Sequence, residues 1–394
     1  MKHRLDSTPP GDDFKPAFEQ PLHVGRPNLG DKNEILQSIE AILDRNWLTN
    51  HGPVVTEFEN TVADYVGARH CIAMCNGTVA LEIAIRALGL EGEVIIPSYT
   101  FVATAHALQW QGITPVFCDI EPHSCTIDPK EIERHITPRT TGIIGVHLWS
   151  RPCDTEALQK IADKHGLALM FDAAHAFGCS HEGAPIGGFG RAEVFSFHAT
   201  KFFNTLEGGA VVTNDDELAQ QMRLMKNFGF AGEDEVIYIG TNGKMNEASA
   251  AVGLSNFAHI GDFIEHNRKN YEAYRDNLTG IDGLRFMEFN DGDTSNYQYI
   301  TIILDDSILA ISRDGLHDIL WNNNIRARRY FYPGCHRMEP YRSYFPHAHL
   351  LLPVTEQVAR STLCLPTGLA VTPEQIYTIC NLIRASIEHP GQRG

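Results

Sequence analysis

Short apolar runs alternate with longer amphipathic segments over the first two thirds of the chain. The runs predict buried β-strands, at residues 93–97, 115–119, 142–147, 167–172, 194–197 and 210–212. Helical periodicity fills most of the intervals between these strands, at residues 101–110, 155–165 and 216–226. Alternation of short buried strands with helices is typical of an α/β domain with a largely parallel sheet.

The pattern changes near residue 260. A long helix predicted at 245–277 precedes strands at 300–304 and 325–328 and helices at 313–322 and 373–387. We therefore infer a large domain at 21–259 and a smaller α+β domain at 260–394, with residues 1–20 as a flexible arm. A chain of 394 residues is too long for one ordinary domain and suits this division.

Composition excludes several classes of protein. The formal net charge of −17 argues against a nucleic-acid-binding surface, which is normally basic. No apolar run approaches membrane-spanning length, and the polar first twenty residues lack the pattern of a signal peptide, so we expect a cytoplasmic protein without a membrane partner. The 9 cysteines and 19 histidines show no zinc-binding spacing, so reduced thiols are expected and no metal site is predicted.

Lys201 lies between two predicted strands, after the run 194–197 and before the run 210–212. Burial between strands removes water from an amine and lowers its pKa, and the neutral amine attacks aldehydes. Such a lysine is suited to a Schiff base with pyridoxal 5′-phosphate (PLP). A solvated surface lysine is the alternative, unless other residues supply a phosphate site and a partner for the pyridine ring.

A candidate phosphate site lies where a predicted strand turns into a helix. Gly77 allows close backbone approach there, and the Thr78 hydroxyl adds a donor to the amide groups of the helix N-terminus. Ser196, five residues before Lys201, offers a second hydroxyl. The alternatives are that Thr78 only caps the helix and that the Ser196 hydroxyl only bonds to a neighbouring backbone group.

Three further residues suit the ring of the cofactor. Asp172 ends a predicted strand, where its carboxylate could keep a pyridine nitrogen protonated. His175 is three residues farther on and can lie on the same side, and Phe101 offers an aromatic surface for stacking at the start of a helix. Helix capping for Asp172, an interior polar residue for His175 and a core position for Phe101 are the alternatives.

Together these motifs resemble the DegT/DnrJ/StrS family of PLP-dependent nucleotide-sugar aminotransferases. The resemblance extends from about residue 24 to residue 387, and its segments are 24–27 (Val-Gly-Arg-Pro), 48–53 (Leu-Thr-x-x-Gly-Pro), 76–81, 97–104, 172–175 and 196–201. It implies an aspartate-aminotransferase-like (fold type I) architecture. In that architecture a large α/β domain with a mostly parallel central sheet binds PLP, and a smaller C-terminal α+β domain follows.

The resemblance implies roles for the cofactor residues. Lys201 would hold PLP as a Schiff base, Asp172 would pair with the pyridine nitrogen, and His175 would lie beside the ring. The same resemblance places Phe101 on the ring and assigns the phosphate to Gly77, Thr78 and Ser196. The segment 240–247 resembles a loop that crosses into a neighbouring subunit, where Asn246 would complete the partner's phosphate site. The implied active unit is therefore a homodimer with shared active sites.

Substrate contacts are implied less directly. The segment 328–336 would contribute Arg328, Tyr330 and His336, although Gly334 and Cys335 depart from the Pro-Leu-His ending usual in the family.

The segment 147–152 departs from the commoner family pattern at Trp149 and Arg151, so these two residues are expected to alter substrate contacts. The basic residue that binds a diphosphate is left open among Lys244, Arg328, Arg329 and Arg151.

The lysine also indicates the type of reaction. Relatives that use PLP to deoxygenate sugars carry histidine in its place, whereas Lys201 can pass a proton between substrate and cofactor. Phe-His-Ala-Thr-Lys at 197–201 with Glu-Gly-Gly at 207–209 resembles members that act at C4. We therefore predict transfer of an amino group from glutamate to C4 of a nucleotide-linked, dTDP-type, 4-keto-6-deoxyhexose. A 3-keto sugar aminotransferase, another PLP enzyme of the family and a non-catalytic sensor are the alternatives.

Overall fold

The computed structural model describes residues 15–289 and 292–389. Their strands are β1 (Leu22–His23), β2 (His70–Met74), β3 (Glu93–Pro97), β4 (Thr114–Cys118), β5 (Thr140–Val146), β6 (Ala168–Asp172), β7 (Ser180–His181), β8 (Ala184–Pro185), β9 (Glu193–Ser196), β10 (Gly209–Thr213), β11 (Leu284–Phe286), β12 (Ile300–Leu304), β13 (Ile325–Arg326) and β14 (Thr362–Leu365).

The α-helices of the same residues are α1 (Lys32–Arg45), α2 (Pro53–Val66), α3 (Gly77–Ala87), α4 (Val102–Gln109), α5 (Pro129–Ile132), α6 (Thr155–His165), α7 (Asp216–Met225), α8 (Glu247–Ala258), α9 (Ile260–Leu278), α10 (Arg313–Asn322), α11 (Tyr341–Tyr344), α12 (Pro353–Ser361) and α13 (Pro373–Glu388). Short 3₁₀ helices lie at Glu133–His135, Cys335–Arg337 and Ala348–Leu351. None of these helices combines the length and apolar character needed to cross a membrane.

A seven-stranded sheet forms the centre of the larger part of the molecule, in the order β2-β10-β9-β6-β5-β3-β4. β10 runs antiparallel to both of its neighbours, and the remaining pairs are parallel. Side chains of the strands alternate between two faces, so Ile72 and Val211 enter one core while Cys71 and Val212 enter the other. The six strands and the largely parallel sheet predicted for this region are confirmed.

A smaller antiparallel sheet, β11-β12-β14, lies in the C-terminal part of the chain and packs with α9, α10 and α13. The predicted strand at 300–304 and the helices at 313–322 and 373–387 are confirmed. The predicted strand at 325–328 is shorter, because only Ile325 and Arg326 pair with β1. The division of the chain at residue 260 stays a prediction.

The single helix predicted at 245–277 is wrong. The backbone leaves helical geometry at His259, with φ −110° and ψ 8°, and the segment forms α8 and α9 instead. α8 packs against α1 and α2, whereas α9 packs against α13. The break lets each half follow a different core, and hydrophobic periodicity does not register such a change of partner.

The N-terminal arm predicted at 1–20 falls mainly on residues 1–14, outside the described residues. Near its end, the Ala17 N–H donates to the Asn323 side chain at 3.0 Å, and the Phe18 carbonyl accepts from Asn324 at 2.8 Å.

The topology brings several strand ends to one edge of the central sheet. Met74, Ser196 and Asp172 end β2, β9 and β6 there, and Gly209 begins the antiparallel β10. A Cβ added to Gly209 would lie 2.5 Å from the backbone nitrogen of Gly77, so only glycine lets α3 begin this close to the sheet. This edge carries the candidate site.

A buried ion pair joins α2 to the end of α7. The Lys226 ammonium donates to Glu59 at 2.7 Å and to the Ala73 carbonyl at 3.1 Å, and both charged side chains are 6% exposed. Removing one partner leaves the other charge buried without compensation.

We expect Lys226→Met to lower the free energy of unfolding by about 3–5 kcal/mol, because Glu59 would lose its counter-ion. Chemical denaturation monitored by circular dichroism measures this loss. The matched control is Lys160→Met, which breaks an exposed ion pair with Glu156 and should change little. Equal midpoints for the two variants would contradict a stabilising role for the buried pair.

Candidate active site

A cavity of about 660 Å³ opens at the carboxyl edge of the central sheet. Its walls come from the turns after β2, β3, β5, β6 and β9, and from the C-terminal part of the chain. The predicted site residues that line this cavity are Gly77, Thr78, Phe101, Asp172, His175, Ser196, Lys201 and Tyr330. Residues separated by more than 250 positions in sequence therefore meet at one place.

Lys201 lies in the turn that follows β9, where its backbone N–H donates to the His198 carbonyl at 2.8 Å. The neighbouring Phe202 is buried, so the turn is anchored in the core. Burial lowers the pKa of the Lys201 amine to about 8, against the opposing charge of Asp172. Part of the amine is therefore neutral at mildly alkaline pH, and the neutral amine is the form that attacks a carbonyl carbon.

Asp172 faces the same cavity and is almost completely buried. The Thr104 hydroxyl donates to its Oδ2 at 2.8 Å, and the Ala174 N–H donates to its Oδ1 at 3.1 Å. Burial raises the pKa of Asp172, and these two hydrogen bonds act against that rise. The carboxylate is thus oriented by two donors, as the partner of a protonated ring nitrogen has to be.

His175 packs between residues of both parts of the molecule. The Trp149 N–H donates to its Nδ1 at 3.4 Å, and the Tyr299 hydroxyl lies 3.3 Å from its Nε2. Burial lowers the pKa of His175 well below its usual value, with a smaller contribution from Lys201. The imidazole is therefore neutral, and because Nδ1 accepts a hydrogen bond, Nε2 carries the proton and donates it to Tyr299.

An anion cradle forms at the start of α3. Asn76 is the N-cap, since its side chain accepts from the Val79 N–H at 2.8 Å. Thr78 is thus not the cap, and its hydroxyl and that of Ser196 have no hydrogen-bond partner among the described residues. A Cβ on Gly77 would lie 3.1 Å from the Cβ of Ser196, so glycine keeps the two walls close. Free hydroxyls and helix amides together suit a phosphate.

The site contains contacts that sequence reasoning did not single out. Thr104 orients Asp172 and belongs to the motif at 97–104, so the motif itself carried the signal. Tyr299 and Phe331 come from the C-terminal part of the chain, and the Phe331 ring is 5.7 Å from the imidazole of His175. No local pattern around Tyr299 pointed to a site.

Three predicted substrate residues are not brought to this cavity. Trp149 is buried, and its ring packs edge-on against Tyr99 at 5.6 Å. The Arg151 guanidinium points to the sulfur of Met287 at 2.8 Å. His336 is also buried and forms hydrogen bonds behind the cavity wall. Contacts with residues distant in sequence, which the segment patterns do not register, hold all three away.

Lys244 and Asn246 also lie away from the cavity of their own chain. The Lys244 ammonium donates to Asn227 at 2.7 Å and lies over the ring of Phe228, and the Asn246 side chain caps α8.

A second cavity, of about 610 Å³, adjoins the first and shares Phe101, Tyr330 and Phe331 with it. Two arginines line this outer cavity. Arg329 is bound to Asp314 at 2.9 Å, whereas the Arg328 guanidinium lies over the Tyr330 ring at 5.0 Å and has no carboxylate partner among the described residues. Arg328 is therefore the cation available to an anionic ligand at this mouth.

Comparison with known proteins identifies the family. The model of the DegT/DnrJ/EryC1/StrS aminotransferase family matches residues 30–384. The chain belongs to this family. It is 38% identical over 368 residues to the dTDP-4-amino-4,6-dideoxy-D-glucose transaminase of Escherichia coli, covering 93% of this chain and 98% of that one. It is 32% identical over 374 residues to the GDP-perosamine synthase of Vibrio cholerae, covering 92% and 98%.

A solved structure of DesI, determined in the presence of its TDP-sugar product, superimposes with a TM-score of 0.92 at 45% identity. The match covers 95% of each chain. The chain is accordingly a sugar aminotransferase of the DegT/DnrJ/EryC1/StrS family, whose members are PLP-dependent, and the fold class expected from its sequence is confirmed. Within the described residues, no cluster of three or more histidine, cysteine or acidic side chains is placed to hold a metal ion.

The pKa of about 8 for Lys201 predicts its reactivity. In protein freed of cofactor, labelling of Lys201 by trinitrobenzenesulfonate should rise with pH around a midpoint near 8, because only the neutral amine reacts. Lys160 is an internal control, since its hydrogen bond to Glu156 raises its pKa and delays labelling to higher pH. Peptide mass spectrometry measures both rates, and equal midpoints would contradict desolvation of Lys201.

Proposed function

We propose that this protein binds PLP and transfers an amino group from glutamate to C4 of a nucleotide-linked 4-keto-6-deoxyhexose, with a dTDP sugar as the substrate. The observation that carries the proposal is the arrangement of one cavity. A lysine with a lowered pKa, a buried oriented carboxylate and an anion cradle at a helix N-terminus line the same space. These groups match the reactive carbon, the ring nitrogen and the phosphate of one cofactor.

The residues present fit PLP on chemical grounds. Within the described part of the chain, the hydroxyls of Thr78 and Ser196 are free and lie beside the amides of α3, and Gly77 leaves room for an anion to approach the backbone. Phe101 is 55% exposed and faces the cavity, as a residue that stacks on a planar ring requires. When bound, PLP supplies an aldehyde and an electron-withdrawing ring, which allow an amino group to be taken from one substrate and given to another.

The side chains divide the remaining work. Asp172 would hold a proton on the ring nitrogen of PLP, because Thr104 and Ala174 keep its carboxylate in place. Lys201 would hold PLP through its amine and, as a free amine, would move a proton to and from the substrate carbon, and its pKa of about 8 suits both directions. Neutral His175 donates through Nε2 toward Tyr299, which keeps one wall of the cavity uncharged.

The substrate assignment draws on the relatives and on the outer cavity. The Escherichia coli relative is named for a dTDP-linked 4-amino sugar, and the DesI structure was determined with a TDP-sugar product. Among the four basic candidates for the diphosphate, Arg328 is the one that lies at the cavity mouth and has no carboxylate partner in the residues that the structure describes. Arg329 and Arg151 are engaged elsewhere, and Lys244 lies apart.

We further propose a homodimer with shared active sites. Lys244 and Asn246 do not reach the cavity of their own chain, and the preceding loop exposes apolar side chains that water solvates poorly. These side chains are Phe228, Phe230, Val236, Ile237 and Ile239. A second copy of the chain would cover them and receive Asn246 at its phosphate site. Light scattering that returned the mass of one chain would contradict this arrangement.

The direct test mixes the protein with PLP, glutamate and dTDP-4-keto-6-deoxyglucose. We expect 2-oxoglutarate and an amino sugar, with NMR placing the new C–N bond at C4. Amination at C3 would favour the alternative 3-aminotransferase. The same assay with GDP-linked keto sugars tests which nucleotide the enzyme accepts. Absence of both products would contradict the proposed substrate.

The same assay tests Lys201. We expect Lys201→Ala to remove the absorbance band of the bound cofactor near the visible edge and to lower turnover by more than about 10³-fold. Borohydride should trap the cofactor on the wild-type chain only. A non-catalytic sensor would show the band without turnover, and undiminished turnover in the variant would contradict the role of Lys201.

We expect Arg328→Gln to raise the KM for the dTDP keto sugar about tenfold or more, because the lost charge-assisted hydrogen bonds are each worth roughly 1.5–3 kcal/mol. The reaction with glutamate should change much less. Arg329→Gln is the matched neighbour, already paired with Asp314, and should have the smaller effect. A larger rise in KM for Arg329→Gln than for Arg328→Gln would contradict the assignment of Arg328 to the diphosphate.

A further inference from the structure

A chain of hydrogen bonds runs behind the cavity wall, from the central sheet to the C-terminal part of the molecule. Ser98, directly after β3, accepts the Cys335 N–H on its carbonyl at 2.9 Å and the His336 N–H on its Oγ at 3.1 Å. Its Oγ also lies 2.7 Å from Nδ1 of His336. Both Ser98 and His336 are buried, so these bonds do not compete with water.

The donors of this chain can be assigned from its geometry. The Ser98 oxygen already accepts from the His336 backbone, and the only other partner of Oγ in the described residues is Nδ1. The carboxylate of Glu356 can only accept from Nε2, and burial lowers the pKa of His336, so the imidazole is neutral and its Nδ1 accepts the Ser98 hydroxyl hydrogen. Nε2 then carries the imidazole proton and donates it to Oε1 of Glu356 at 2.8 Å.

Glu356 is an anion at the far end of this series of hydrogen bonds. Although burial raises its pKa, hydrogen bonds from Arg337 at 2.6 Å and from His336 bring that pKa down to about 2. Its second oxygen accepts from Arg360 at 2.8 Å. A fixed charge at this end polarises the imidazole and strengthens the bond that Nδ1 accepts from Ser98.

The helix that carries Glu356 is anchored to the neighbouring strand. Asp119, directly after β4, accepts the N–H groups of Val354 and Thr355 at 3.0 and 2.8 Å, at the start of α12. Pro97 of β3 and Cys118 of β4 are partners in the parallel register, so Ser98 and Asp119 leave adjacent strands side by side. Both ends of the chain of hydrogen bonds are therefore held by one edge of the sheet.

We propose that Ser98, His336 and Glu356 form a relay of positioning residues that holds the segment 328–331 in place for the nucleotide keto sugar. This inference rests on the proposed function. The segment supplies Arg328 to the outer cavity and Tyr330 and Phe331 to both cavities, and it lies five to eight residues before His336.

The order serine, imidazole, carboxylate is that of a hydrolase triad, but Ser98 is 0% exposed and meets no substrate. Its role is to hold His336, and with it the segment 328–331, in place. Gly334 fits this role, because with φ at +87° a Cβ there would lie 3.1 Å from the His336 ring and press on the relay. Glycine at position 334, which departs from the Pro-Leu-His pattern usual in the family, is thus explained by packing against His336.

The test compares the two half-reactions in stopped-flow absorbance, using the PLP-loaded protein. Ser98→Ala and His336→Gln should each raise the KM for dTDP-4-keto-6-deoxyglucose about tenfold, the effect of losing roughly one buried hydrogen bond. The rate with glutamate should stay within about twofold, since glutamate carries no nucleotide diphosphate for Arg328 to bind. Equal losses in both half-reactions, or an unchanged KM, would overturn the relay.

Two further variants separate a relay from independent contacts. In His336→Asn, the Asn side chain can still accept a hydrogen bond from Ser98 near the position of Nδ1. Its KM should therefore rise less than that of His336→Gln. The double variant Ser98→Ala/His336→Gln should have a KM no higher than that of the more impaired single variant, because both substitutions break the same series of hydrogen bonds. Full additivity of the two single losses would overturn the relay.

A spectroscopic measurement distinguishes failure of the relay from failure of the proposed function. In protein labelled with ¹⁵N-histidine, the ring resonances of His336 are assigned as those that disappear in His336→Gln. Ser98→Ala should shift these resonances. Wild-type protein that aminates no nucleotide keto sugar would contradict the proposed function alone. Ring resonances that Ser98→Ala leaves in place would overturn the relay.

Discussion

The candidate site depends on keeping two opposite charges out of water on the walls of one cavity. Burial favours the neutral form of each group, so it lowers the pKa of Lys201 and raises that of Asp172. Thr104 and Ala174 offset the effect on the carboxylate by donating to both of its oxygens. Among the described residues, the Lys201 amine has no comparable set of hydrogen-bond partners, and it becomes a nucleophile. The asymmetry in hydrogen bonding, rather than the depth of burial, gives the two residues different roles.

Close backbone approach makes this arrangement possible. The start of α3 lies against β10 and β9 because Gly77 and Gly209 carry no side chains where the backbones meet. Helix amides and two free hydroxyls therefore face the same space as Lys201. The molecule carries a net charge of −17, and the amides of the cradle, Lys201 and Arg328 form a locally electropositive region against this acidic background.

The C-terminal part of the chain completes the cavity and contributes to its shape more than to its charge. Tyr299 fixes the proton of His175, and the Phe331 ring stacks on the imidazole. The segment that carries Phe331 is tied to the sheet edge through Ser98 and His336. Buried hydrogen bonds of this kind hold a wall in one position, which a substrate-binding surface needs more than flexibility.

The sequence by itself determined the alternation of strands and helices, the family and the residues directly after the strands, because those features are written in local patterns. Lys201, Asp172, Gly77 and Thr78 could be predicted for this reason. Tertiary structure alone decided that His336 and Trp149 turn into the core, that α8 and α9 separate at His259, and that Tyr299 joins the site. Each of these outcomes depends on which distant segment a side chain packs against, and no local spacing encodes that choice. The same limit explains why Arg328 could be distinguished from Arg151 and Arg329 only after their partners were visible.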